Sequence, residues 1–269
     1  MKTIVANWKM NNSFEYAEYW IEKVSAKISN KYKIILAPPS IMIDHIDEYL
    51  LNMELEKVEK MNQDIEDLSE EELEKITSGM RDISLAGQDC HHEESGAFTG
   101  DISAKMLVES GSEYVIIGHS ERRSYHFEED KIILSKLRSA LIAGLNPILC
   151  IGENKEVRQN VAHIEFVRNQ LENNVPKGLE IENLIIAYEP IWSIGTGKVP
   201  TFDEIAEVAS YIKLCMESNF QNVKNYQILY GGSVKEENIS IANIENIDGF
   251  LVGAASIDAE DFIKILDKI

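Results

Sequence analysis

Eight short apolar runs, each followed by a stretch with another period, set the strongest limit on how this chain can fold. They lie near Thr3–Ala6, Ile34–Ala37, Ile83–Ala86, Tyr114–Ile117, Pro147–Cys150, Leu184–Tyr188, Gln227–Leu229 and Gly249–Val252. Most are continuous rather than alternating, which predicts strands covered on both faces. Helical spacing follows them, as in Ile132, Ile133, Leu137 and Leu141 before Gly144, and again in Phe202, Ile205, Ala206, Ala209 and Ile212. Strand–helix alternation on this scale requires right-handed parallel crossovers. Eight units in 269 residues predict a single α/β domain, 1–269, built as a closed eight-stranded parallel (β/α)8 barrel. An open doubly wound sheet is the alternative, but no G-x-G-x-x-G follows the first strand.

The net charge is −20, which argues against nucleic acid or an anionic membrane as partner. No apolar run is long enough to span a bilayer, and the start "MKTIVANWKM" does not resemble a signal peptide. Three widely spaced cysteines, Cys90, Cys150 and Cys215, predict free thiols in a reducing, cytoplasmic setting. The run Cys90–His91–His92–Glu93 raises the question of a metal. Adjacent ligand types rarely converge on one ion and the usual spacings are absent, so no metal and no cofactor is expected.

Much of the negative charge is local. Residues 52–78 hold ten acids against three lysines, a balance of −7. The gap between the second and third strands has room for more than one helix. Ser69 and Glu72 are spaced as a capping box, Leu68 and Leu73 as a staple, and Gly79 as a stop. An extra acidic helical insertion is therefore expected there, at the N-terminal face of the barrel. A solvated acidic loop is the alternative.

In a barrel of this kind, chemistry sits where strands run out into loops at their C-terminal ends. Polar residues cluster there: Asn7 and Lys9 after the first strand, Gln88 after the third, His119, Ser120 and Glu121 after the fourth, Cys150 and Glu153 at the fifth, and Glu189 after the sixth. "YGGS" (230–233) and "VGAAS" (252–256) follow the last two. An apolar strand ending in an acid, Glu189, is followed by a segment with Pro190, Gly195 and Gly197. A carboxylate so placed suits a proton-abstracting base, and the glycines suit a segment that changes conformation.

The motifs "ANWKMN", "GAFTGDIS", "IIGHSERR", "AYEPIWSIGTGK", "YGGSV" and "DGFLVGAAS" run in order along nearly the whole chain. Together they resemble the triosephosphate isomerase family. The resemblance implies a TIM barrel, a triose phosphate substrate, proton transfer through an enediolate, no cofactor and a homodimer. It implies Glu189 as base and His119 as a neutral electrophile, a role taken from the family rather than read from the residues. Lys9 would supply fixed positive charge, and Asn7 would position it. Ser120, Glu121 and Cys150 would support the site. The substrate phosphate would meet backbone amides at Gly195, Ser233, Gly253 and Ala254. The segment 190–200 would act as a lid, with Ile194 and Leu251 over Glu189, Tyr230 holding the closed form and Glu153 latching Trp192 in the open one. Gln88 and Thr99 would make dimer contacts. "GTGKV" is not a phosphate-binding P-loop, since Val199 stands where Ser or Thr is required.

Three departures from the family pattern stand out. Ala254 occupies a position usually held by glycine, at a cost if that position needs positive φ. Pro200 restricts Val199 and predicts a stiffer trailing hinge. The insertion 52–78 has no counterpart. Two alternatives follow: an isomerase of a longer, tetrose phosphate, with Ala254 altering the phosphate grip, or a silent barrel whose acidic insertion recruits a basic partner.

Overall fold

The structure, a computed structural model, describes residues 1–28, 31–60, 82–194 and 199–269. Eight parallel strands close into a barrel in chain order. They are β1 (Lys2–Asn7), β2 (Tyr32–Ala37), β3 (Ile83–Gly87), β4 (Tyr114–Ile117), β5 (Asn146–Ile151), β6 (Ile181–Tyr188), β7 (Val223–Tyr230) and β8 (Gly249–Val252). Closure is made by β1 pairing with β8, Thr3 opposite Gly249 and Ala6 opposite Val252. Among the described residues, the α-helices outside this ring are α1 (Phe14–Ser25), α2 (Ile43–Lys60), α3 (Ala104–Glu109), α4 (Ser120–Tyr125), α5 (Asp130–Ala143), α6 (Lys155–Gln159), α7 (His163–Asn174), α8 (Phe202–Asn219) and α9 (Ala259–Leu266).

The continuous apolar runs have a simple cause. Successive strand side chains point to opposite faces, and here both faces are covered. One parity fills the ring: Val5, Ile35, Ala37, Ala86, Ile116, Ile148, Cys150, Ile185, Ala187, Leu229 and Leu251 form one buried cluster. The other parity, including Ile4, Leu36, Leu85, Ile117, Leu149, Ile186, Tyr230 and Phe250, packs against the helices. Continuing the inward parity by two residues beyond the last interior side chain gives Asn7, Pro39, Gln88, Gly118, Gly152, Glu189, Gly231 and Gly253. The period of two thus places three polar side chains, four glycines and one proline over the barrel mouth. The glycines leave that space unfilled.

Helix ends follow local chemistry. The Ser13 side chain accepts from the Tyr16 amide to start α1. Gly144 ends α5 in the left-handed region, at φ 92°. Thr201 and Glu204 form a reciprocal capping box at the start of α8. The indoles of Trp8 and Trp20 both donate to the Ser256 carbonyl, at 3.0 Å each, and so pin the loop after β8 to β1 and α1.

The first described residues of the expected insertion between β2 and β3 belong to α2. Residues 52–60 continue α2, because Ile46, Leu50, Glu54 and Val58 recur every four residues on one buried face. Ser69, Glu72, Leu68, Leu73 and Gly79 lie outside the described residues. Lys57 near the end of α2 pairs with Asp82 just before β3, at 2.6 Å. The flanks of segment 61–81 therefore lie beside the beginning of β3, at the barrel end opposite its mouth. No described helix is long and apolar enough to cross a membrane.

Candidate active site

Glu189, His119, Ser120, Lys9 and Asn7 converge at the mouth. The Glu189 amide donates to the Ile151 carbonyl at 2.7 Å, which carries the β5–β6 pairing one residue past the strand. Gly152, with φ +157°, makes this possible: a Cβ there would lie 1.8 Å from the Glu189 carbonyl oxygen. Glu189 is 2% exposed. Its carboxylate accepts from the Ser120 amide at 2.9 Å and the Ser120 hydroxyl at 3.3 Å, and lies 3.1 Å from His119 Nε2.

His119 is the N-cap of α4, and its Nδ1 accepts the Glu121 amide N–H at 3.2 Å. An acceptor Nδ1 must keep its lone pair, so the imidazole proton sits on Nε2, toward Glu189. The two groups tune each other. Burial works to raise the Glu189 pKa, but the adjacent imidazole, the Ser120 amide and the Lys9 charge outweigh it, and the carboxyl falls below the usual range. Burial works to lower His119, and the Glu189 carboxylate outweighs that, so its pKa moves up while the carboxylate stays beside it.

Lys9 sits just past β1 with φ 54°, a left-handed conformation uncommon for a non-glycine residue. Asn7 Oδ1 accepts its amide at 3.0 Å. Gln88 Nε2 donates to its carbonyl at 2.8 Å and to the Ala37 carbonyl at 2.9 Å. Three strands therefore hold one turn. Its ammonium lies 2.5 Å from Glu121 Oε1. It also passes Gly253, where a Cβ would lie 3.3 Å from Lys9 Cε.

The remaining expected residues sort by position. Cys150 is buried within the barrel, and burial, then the Glu189 charge, push its thiol well up, leaving it a neutral packing group. Glu153 is fully buried and accepts the Trp192 indole N–H at 2.7 Å and the Tyr188 hydroxyl at 3.2 Å. Tyr230 and Leu251 are buried at the ends of β7 and β8, and Ile194 is half-buried. Ser233 and Gly253 follow adjacent strands, paired Tyr230 to Phe250. Gly195 lies outside the described residues. Thr99 is exposed in the loop after β3, whose base is closed by a bridge between His91 and Ser103.

The expected cost at Ala254 does not arise. Ala254 opens a short 3-10 turn, Ala254–Ser256, and is not among the residues with positive φ. The strand-end turn is taken up at Gly253, so alanine at 254 is accommodated without left-handed backbone. Around Cys90, the His91 and His92 rings stack 4.2 Å apart and His91 stacks on Phe98 at 4.1 Å. No group of three or more metal-ligating side chains occurs among the described residues.

Two groups carry more of the site than their sequence context announces. The Arg123 guanidinium donates to the Gly118 carbonyl at 2.9 Å and the Cys150 carbonyl at 3.2 Å, and pairs with Asp130 at 2.9 Å. It ties the ends of β4 and β5 together, fixing His119 relative to β5, whose Ile151 carbonyl accepts the Glu189 amide. Arg158, from α6, reaches Glu153, Trp192 and Glu204. Arg123 stands inside the "HSERR" motif, whereas nothing near Arg158 in sequence marks it.

A family model described as "Triosephosphate isomerase" matches residues 2–71 and 69–269. The chain belongs to the triosephosphate isomerase family. A triosephosphate isomerase from Ruegeria sp. (strain TM1040) is 38% identical over 267 residues, covering 98% of this chain and 96% of that protein. One from Xanthobacter flavus is 47% identical over 185 residues, covering 68% and 74%. The crystal structure of triosephosphate isomerase from Bartonella henselae superposes with a TM-score of 0.81 at 34% identity, covering 99% of this chain and 98% of that one. Triosephosphate isomerase membership therefore rests on nearly the whole length of the chain.

Proposed function

We propose that the protein interconverts glyceraldehyde 3-phosphate and dihydroxyacetone phosphate through an enediolate, with Glu189 as the base. The observation that carries this is the meeting of Glu189 and His119 Nε2 at 3.1 Å over one barrel mouth, with Lys9 held beside them. Moving a proton between adjacent carbons needs a base at carbon and a donor or charge at each oxygen. Glu189 is stored here on Ser120 and His119, which lower its basicity. Departure from those partners toward the substrate carbon leaves burial as the dominant influence and raises basicity when it is needed. The same movement takes the carboxylate away from His119. Burial and the acceptor role of Nδ1 then keep the imidazole neutral, with its Nε2 proton free for the substrate oxygens. Lys9 stabilises the developing negative charge, and Asn7 and Gln88 hold its turn.

The substrate phosphate is bound by backbone amides at Ser233, Gly253 and Ala254, with Gly195 from the lid. Adjacent β7 and β8 ends and the 3-10 turn at 254–256 support this placement. The lid spans 190–200, latched by Glu153 on Trp192, and Ile194, Leu251 and Tyr230 line its closed form. The working unit is a homodimer. Met10, Tyr125, Phe127 and Phe98 are 94%, 75%, 82% and 41% exposed around the site, and the Thr99 loop projects beside them. A second copy would cover this apolar set. The protein is a single 1–269 domain working in the cytoplasm, without a nucleic acid or membrane partner, and the acidic insertion 52–78 belongs to the N-terminal face, where Lys57 and Asp82 pair.

A coupled assay tests the activity directly. Turnover is expected on glyceraldehyde 3-phosphate, with a four-carbon aldose phosphate at least about 100-fold poorer in kcat/KM, since the grip at 253–254 is unstrained and lies close to the acid–base pair. Equal or better turnover of the four-carbon substrate would overturn the assignment.

A further inference from the structure

Glu153 and Arg158 form a buried pair that is left incomplete. The Glu153 side chain is 0% exposed and that of Arg158 13% exposed, yet Nη1 of Arg158 stands 3.6 Å from Glu153 Oε1. That distance is outside hydrogen-bonding range. Arg158 Nη1 and Glu153 Oε2 are both buried with no hydrogen-bond partner among the described residues. The oxygen facing Arg158 already accepts the Trp192 indole N–H at 2.7 Å and the Tyr188 hydroxyl at 3.2 Å. Trp192 also lies against the guanidinium, 5.5 Å from its ring centre to Arg158 Cζ. At its other end Arg158 Nη2 meets Glu204 Oε1 at 3.3 Å, and Glu204 closes the capping box with Thr201. One arginine thus touches the segment that follows Glu189 and the helix start that resumes after it.

Buried ionic groups are costly unless their hydrogen bonds are complete. A carboxylate with one unused oxygen beside a guanidinium with one unused N–H marks an arrangement that a small shift would complete. Of the two hydrogen bonds that Glu153 Oε1 accepts, the one from Trp192 comes from the segment after Glu189, whereas Tyr188 is fixed within β6. We propose that Arg158 is a positioning residue that competes with Trp192 for Glu153: release of the indole lets the guanidinium close onto the carboxylate, and this exchange stabilises the phosphate-bound position of the segment after Glu189. The inference rests on the lid assigned under the proposed function. The exchange is between partners of one buried acid, so no charge is left bare at either end of the movement. Glu204 restrains Arg158 from the far side and sets how readily the exchange occurs.

The test uses the full-length protein labelled with 5-fluorotryptophan at Trp8, Trp20 and Trp192. Loss of one fluorine resonance in Trp192→Phe assigns the reporter. Inorganic phosphate is expected to move that resonance to a second position in the parent. In Arg158→Met the movement needs about tenfold more phosphate, KM rises by a similar factor and the ligand-free resonance stays in place. Arg158→Lys, which keeps the charge without the planar fork, falls between the two. Glu204→Gln frees the far end of Arg158 and shifts the titration the opposite way, to a few-fold less phosphate. A folded Arg158→Met protein that titrates like the parent overturns the proposal, as does a resonance displaced before phosphate is added. Should Arg158→Met fail to fold, an unchanged or weakened titration in Glu204→Gln overturns it. A parent resonance that phosphate leaves unmoved also overturns the exchange, while the coupled assay on unlabelled protein decides the isomerase assignment separately.

Discussion

Glu189→Asp lowers kcat about 10³-fold and leaves KM within a few-fold, a loss of about 4 kcal/mol of transition-state stabilisation. The substitution keeps the charge and retracts the carboxylate by about one C–C bond, roughly 1.5 Å. The proposed phosphate contacts lie elsewhere, at the ends of β7 and β8, so ground-state binding should be spared. Proton transfer is not, because a general base acts only within hydrogen-bond reach, and a misplacement of about 1 Å costs on the order of 10²-fold. The pH profile carries a sign as well. Glu189 is held below the usual carboxylate range in the resting arrangement. The acid limb of kcat/KM should therefore lie below the ordinary Glu value of about 4.3. The same depression contributes stability above the unfolded-state pKa, which is lost as pH falls through the folded-state value. Steady-state kinetics on both proteins check the first outcome. A drop confined to KM would remove Glu189 from proton transfer.

Lys9→Met lowers kcat/KM about 10²- to 10³-fold, through both kcat and KM. Lys9 is the one cation that reaches past Gly253 toward the proposed phosphate grip while standing near His119 and Glu121, among the described residues. Methionine keeps much of the stem's packing and removes the charge. The turn itself is held through backbone groups by Asn7 and Gln88, so the protein should fold. The lost charge then acts on the phosphate in the ground state and on the enediolate in the transition state. Kinetics paired with a thermal melt separate these from unfolding. An unchanged kcat/KM in a folded Lys9→Met protein would move the electrostatic role elsewhere.

The barrel was legible because burial on both faces leaves strands apolar at every position, a pattern that survives without knowledge of partners. Strand length was less so. β6 begins at Ile181 and β7 at Val223, before the apolar runs, because Glu182, Asn183, Lys224 and Asn225 pair in the ladder while staying exposed at the barrel's far end. Ladder hydrogen bonds do not require apolar side chains, so composition gave no mark there. Residues 52–60 read as part of the acidic insertion, yet they continue α2, because one of its inward positions is a buried acid, Glu54, that interrupts the apolar stripe in the sequence. At the site, Glu189, Asn7 and Gln88 follow from strand parity alone. His119 does not, since it caps a six-residue helix too short for periodicity to show. Arg158 was invisible for another reason: its partners at 153, 192 and 204 meet only once α6, β6 and α8 are in place.

The central claim is that one carboxylate, over one mouth of the barrel, carries the proton between substrate carbons. Dihydroxyacetone phosphate incubated with the protein in D2O and followed by NMR tests it most directly. Deuterium should enter one of the two hydrogens on the carbon between the carbonyl and the free hydroxyl, because a single base reaches a single face, and entry should vanish in Glu189→Gln. Labelling of both hydrogens alike, or labelling by Glu189→Gln at the parent's rate, would contradict it.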